Sequence, residues 1–130
     1  MKKTHPKRSK KQLFDRVVQQ VLRDLPPDLR GALGTVQIVI QKKASSTQLR
    51  RSGVEKDAVL FGLFEGLSLK EWPLGMNRSF PDRIILYEEA LRKSFPDPKE
   101  LTRQVRITLV HELGHYFGFS ERELSRRGWA

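Results

Sequence analysis

Apolar positions along this chain alternate between helical and strand spacing, and each change of period marks an element. Phe14, Val17, Val18, Val21, Leu22 and Leu25 recur three and four apart, as they do on the buried face of an amphipathic helix. Ser9-Lys10-Lys11-Gln12 precedes them in the form of a capping box, and Pro26-Pro27 follows. The spacing therefore predicts a helix from about Lys10 to Leu25. Thr35-Val36-Gln37-Ile38-Val39-Ile40 is a short, β-branched strand. Lys42 to Asp57 is polar without strong periodicity and reads as a long loop. Ala58 to Glu65 reads as a second strand bounded by Gly66, and Gly62 inside it marks a bulge or the close approach of another backbone. Leu67 to Phe80 holds Pro73, Gly75 and Asn77 and reads as a loop. Arg83 to Tyr87 is a third strand, and Glu88 to Lys93 a short helix ended by Phe95-Pro96.

Asp97-Pro98-Lys99-Glu100 is a strong helix start: an N-cap Asp, Pro at the first helical position and Glu at the capping-box position. Leu101, Val105, Leu109, Val110 and Leu113 continue the helix to Gly118, a residue suited to a left-handed C-terminal position. Ser120-Glu121-Arg122-Glu123 is a further capping box for a short final helix. The order of elements predicts an α+β domain, its sheet packed on the long helix and the N-terminal helix. With no internal repeat or dividing linker, residues 12–130 read as one domain.

Composition narrows the class without naming a function. The 130 residues are 38% hydrophobic and 31% charged, as in an ordinary globular domain. No apolar run approaches the roughly 18–20 residues of a membrane helix, and no secretory signal follows the basic start. Zero cysteine excludes a disulfide scaffold and a thiolate metal site. A cytoplasmic location and no membrane contact are expected. Of the net charge of +10, Lys2, Lys3, Lys7, Arg8, Lys10 and Lys11 supply six. Residues 1–11 thus read as a solvated basic arm, or alternatively as one that contacts nucleic acid or another anionic partner.

The chemistry is concentrated in the long helix. His111-Glu112-Leu113-Gly114-His115 is an HExxH motif in a chain with only three histidines. Histidines four apart share one helix face, so both imidazoles can reach one metal ion. Glu112, beside the first, can deprotonate a metal-activated water. A catalytic zinc site needs a third protein ligand. The fifteen residues after His115 leave no room for a distant helix, but Gly118 ends this one and lets the chain turn back. Glu121 is the preferred third ligand, because in the Ser120 capping box the rival Glu123 is taken up by the backbone. Tyr116 reads as packing or surface rather than catalytic, and His5 as uninvolved. Tyr87, at the end of its strand, reads first as a half-buried strand tyrosine and alternatively as a hydrogen-bond donor to a reaction oxyanion.

HELGHYFGFSE resembles the signature of the bacterial minimal zincin-like metallopeptidases, HExxHxxGxx(D/E). LFGLFEGLSL at 60–69, PDRIILYEEAL at 81–91 and SERELSRRGW at 120–129 are similar to further segments of that family. The likeness covers most of Phe14 to Trp129. It implies a zincin fold in which a small mixed sheet of about three to four strands packs on the active-site helix. It also implies one Zn2+ on His111, His115 and residue 121, with Glu112 as catalytic base in peptide-bond hydrolysis. The strand containing Leu60, Phe61, Gly62, Leu63 and Phe64 is similar to the edge strand along which zincins lay an extended peptide. Two departures stand out: Glu occupies the third ligand position, where Asp or His is usual, and no methionine follows it.

Overall fold

The computed structural model describes residues 9–55, 57–66 and 82–128. Most of the basic arm, residue 56, the segment 67–81 and the last two residues lie outside the described residues. Helix α1 spans Lys10–Arg23, so Lys10 and Lys11 belong to it. Ser9 Oγ accepts from the Gln12 N–H at 3.1 Å, and Gln12 Oε1 accepts from the Ser9 N–H at 2.9 Å, which is the reciprocal box the sequence predicts. The helix stops two residues earlier than expected. Pro27 does more than terminate it, standing at the first position of a short helix α2, Pro27–Arg30, where its fixed φ and missing N–H do no harm. A 3-10 turn over Gly31–Gly34 leads into the sheet.

The sheet is small and mixed. Strand β1 is Val36–Gln41, β2 is Gly62–Glu65 and β3 is Asp82–Tyr87, in the order β1-β3-β2. β1 and β3 run parallel from the Val36–Asp82 pair to Gln41–Tyr87, and β2 pairs antiparallel with β3. The continuous apolar run of Ile84, Ile85, Leu86 and Tyr87 fits the central position, because both faces of β3 are covered and all four residues are buried. The second strand is shorter than the predicted 58–65. Only residues 62–65 join the ladder, although the Phe61 carbonyl still accepts from the Tyr87 N–H at 2.9 Å.

The expected loop after β1 contains a helix, α3, Ser46–Ser52. It carries no apolar stripe, and its one buried residue is Gln48. Its ends hold it instead. Ser45 and Gln48 form a capping box, Gly53 closes the helix at φ 70, and the Gln41 and Gln48 amides bond to each other at 2.8 Å. Gln41 shares a sheet face with Tyr87, its register partner, so α3 lies over the face formed by Tyr87, Ile85 and Arg83.

The opposite face packs on helices. Helix α4, Glu88–Ser94, follows β3 directly, and helix α5 runs over Pro98–Phe117. Phe14, Val18 and Val21 of α1 meet Leu101, Val105, Leu109 and Leu113 of α5 around Ile84 and Leu86 in one core. Each fully buried aliphatic side chain there contributes on the order of 2 kcal/mol. Asp97 caps α5 by accepting from the Glu100 N–H at 3.0 Å. The Glu100 side chain turns to Gln104 at 2.9 Å, so the reciprocal half of that box is not made. Helix α6, Glu121–Arg126, completes the fold. No described helix is long and apolar enough to cross a membrane.

Candidate metal centre

The last two turns of α5 carry the motif, with the His111 and His115 rings 4.8 Å apart between centroids. The helix ends at Gly118 with φ 77, and the Phe119 N–H closes back on the Gly114 carbonyl at 3.0 Å. The chain then reverses into α6. Ser120 Oγ accepts from the Glu123 N–H at 3.2 Å, and Glu123 Oε1 accepts from the Ser120 N–H at 3.3 Å. With Glu123 engaged as a cap, Glu121 is the carboxylate left facing the histidines.

A contact that sequence reasoning did not use brings α6 close. A β-carbon on Gly114 would overlap the side chain of Leu124, which is fully buried. The bare face of Gly114 therefore lets α6 lie against α5. The result is a convergence of His111, His115 and Glu121, whose donor atoms all lie within 4.8 Å of one another. His111 Nε2 and Glu121 Oε1 are 3.2 Å apart. Zinc bonds of about 2.1 Å in a tetrahedron put neighbouring donors about 3.4 Å apart. Two imidazoles and a carboxylate are also a donor set that leaves a fourth position open. The residues fit a zinc ion.

Glu112 faces the other way along the same cleft. Its Oε1 accepts from the Phe64 backbone N–H at 2.8 Å. The bond is possible because β2 comes close to α5: a β-carbon on Gly62 would stand 2.7 Å from Thr108 Cγ2. Of the two readings of Gly62 in the sequence, close approach is the one observed, to the Thr108 side chain and also to the Ile85 backbone oxygen, 3.1 Å from that position. Burial pushes the Glu112 carboxyl above its ordinary range. The Phe64 N–H and the His111 ring pull it back, and the Glu121 charge pushes it up further.

A cleft of about 430 Å3 joins these groups, large enough for several side chains of a ligand. Leu60, Gly62, Leu63 and Phe64 line it with His111, Glu112 and His115. Phe61 does not line it and instead packs on Phe95, ring centroids 5.3 Å apart. Tyr87 also stands apart, only 1% exposed, with a hydroxyl that has no hydrogen-bond partner among the described residues. Burial, and secondarily the Glu65 charge, raises its pKa to about 12. Tyr116 is packed, as expected, and its hydroxyl lies 2.8 Å from Thr35 Oγ1. Arg51, Ser52 and Gly66 line the cleft too and were not anticipated. For Arg51 and Ser52 the signal in the sequence was the Ser45–Gln48 cap pattern of α3.

The profile of the zincin-like metallopeptidase family matches residues 33–129. The chain belongs to that family. No curated protein matches it in sequence. Membership in the zincin-like metallopeptidases accounts for the mixed sheet over a long motif helix, supports a hydrolase and implies a metal.

Proposed function

We propose that this zincin-like chain hydrolyses peptide bonds, with one zinc ion held by His111, His115 and Glu121 and with Glu112 as general base. One arrangement carries the reading: three donor atoms converge at a cleft whose neighbouring carboxylate, Glu112, is already anchored. When bound, zinc acidifies a water and polarises the scissile carbonyl. Glu112 takes the proton of the attacking water and passes it to the leaving amine. The Phe64 N–H occupies Oε1 and fixes the carboxylate plane, so Oε2 is the oxygen that handles the proton. Burial raises the proton affinity of Glu112, the direction that strengthens a general base.

The substrate lies along β2. Phe61 gives its carbonyl to β3, and backbone groups alternate in an antiparallel ladder. Leu63 and Glu65 therefore also face β3, while Gly62 and Phe64 turn their groups to the edge that no described strand covers. An extended peptide pairs there by strand addition. Gly62 supplies its N–H and carbonyl and Phe64 its carbonyl, since the Phe64 N–H already belongs to Glu112.

The deciding experiment pairs metal analysis with cleavage of a peptide library by wild type and Glu112→Gln. One zinc per chain is expected in both, with turnover lowered about a hundred- to ten-thousand-fold in the variant. Purified protein that binds no zinc when it is offered would sink the proposal.

A further inference from the structure

We infer that Arg51 makes the cleft selective for peptides with an acidic side chain beside the scissile bond, an inference that rests on the peptidase reading above. Arg51 and Ser52, at the end of α3, line the cleft together with the histidines and Glu112. Among the described residues lining it, Arg51 is the one that carries a permanent positive charge. Two faces of the sheet meet at this point. α5 packs on one, with the proposed zinc ligands. α3 covers the other, on the side of Leu63 and Glu65. Successive side chains of an extended peptide on the β2 edge point alternately to these two sides. Those on the α3 side point toward Arg51.

Among the described residues, the charge of Arg51 is only partly neutralised. It reaches Glu65 Oε2 at 3.4 Å, and 67% of its side chain is exposed. Glu65 is satisfied mainly by Arg83, whose Nε and Nη2 lie 2.7 and 2.6 Å from Oε1. Two guanidinium groups thus share one carboxylate, and the trio retains one positive charge. Arg51 is the longer-bonded and more exposed of the two, so it can turn a fork of donors to an incoming carboxylate. The net charge of +10 also favours encounter with acidic peptides.

The test separates binding from turnover. Zinc-loaded Glu112→Gln is titrated with extended peptides carrying a single Glu, moved along the sequence, each against its Gln counterpart. At one position near the centre, Glu is expected to bind about five-fold tighter than Gln, the scale of a mostly exposed charge pair. Adding Arg51→Ala should abolish the difference, and Arg51→Lys should keep part of it. Glu65→Gln should enlarge it, because the competing carboxylate is gone. Thermal melts establish that the variants are folded. Equal binding of Glu and Gln peptides, a preference that survives Arg51→Ala, or no peptide binding at all overturns the inference. Wild-type cleavage is read separately. Cleavage without acidic preference overturns only the role of Arg51, and preference without cleavage overturns only the peptidase reading.

Discussion

The hydroxyl of Tyr87 is buried without a partner among the described residues, and burying a polar atom unbonded costs about 1–3 kcal/mol. Tyr87→Phe is therefore expected to leave stability at pH 7 unchanged or raise it by about 1 kcal/mol in chemical denaturation. The same residue sets a pH dependence. Its folded-state pKa is about 12 against an ordinary 10.0, so between these values the folded protein holds a proton the unfolded chain has lost. Stability must fall as pH rises from about 10 to 12, by roughly 2–3 kcal/mol from this group. The fall should be smaller by that amount in Tyr87→Phe. Glu112 shows what was legible at this scale and what was not. Its place beside the histidines is plain from the motif. Its anchor is a backbone N–H of Phe64, and every residue except proline offers one, so no side-chain pattern could announce it.

Elements that bury an apolar stripe were readable (α1, α5 and β3), as was the capped start of α6. Helix α3 was not, because its sequence buries one glutamine, and the Ser45–Gln48 capping box at its start stands before no apolar stripe. Ser45→Ala is accordingly expected to cost about 1 kcal/mol locally, seen as faster amide exchange over residues 46–52 with little change in α5. The second strand was over-read because apolar residues at 58–61 look the same whether or not a partner strand is there to pair with them. The join between α5 and α6 makes a sharper prediction. Gly114→Ala forces Leu124 out of its seat, costing about 1–3 kcal/mol and moving Glu121 away from the histidines. Zinc affinity should fall about 10- to 100-fold in a competition titration, although no proposed ligand has been changed.

For the molecule as a whole, the proposed ligands come from two helices that meet at the end of the chain, so metal binding and folding are linked. Zinc bound to the folded state alone, at a hundred times its dissociation constant, stabilises by about 2.7 kcal/mol. Wild type and Glu112→Gln should both melt higher with zinc and lower with chelator. His115→Ala should respond to neither, which separates loss of the metal from loss of the base. The sheet with its helical layer followed from the order of elements, and its mixed pairing from the family resemblance. The strand order did not, because spacing along a chain says nothing about which strand occupies the middle until both faces of β3 are seen to be buried.

The bond between Glu112 and the Phe64 N–H has a consequence beyond catalysis. β2 is the end strand of the described sheet, and an exposed strand end is a template on which another copy of a protein can add itself. A charged carboxylate seated on that edge is among the devices by which proteins discourage such pairing. Glu112 thus guards the edge that a substrate is meant to use. Glu112→Gln keeps an acceptor there but removes the charge. At high concentration it should self-associate more readily than wild type in sedimentation, and solutions of it should be the first to grow cloudy.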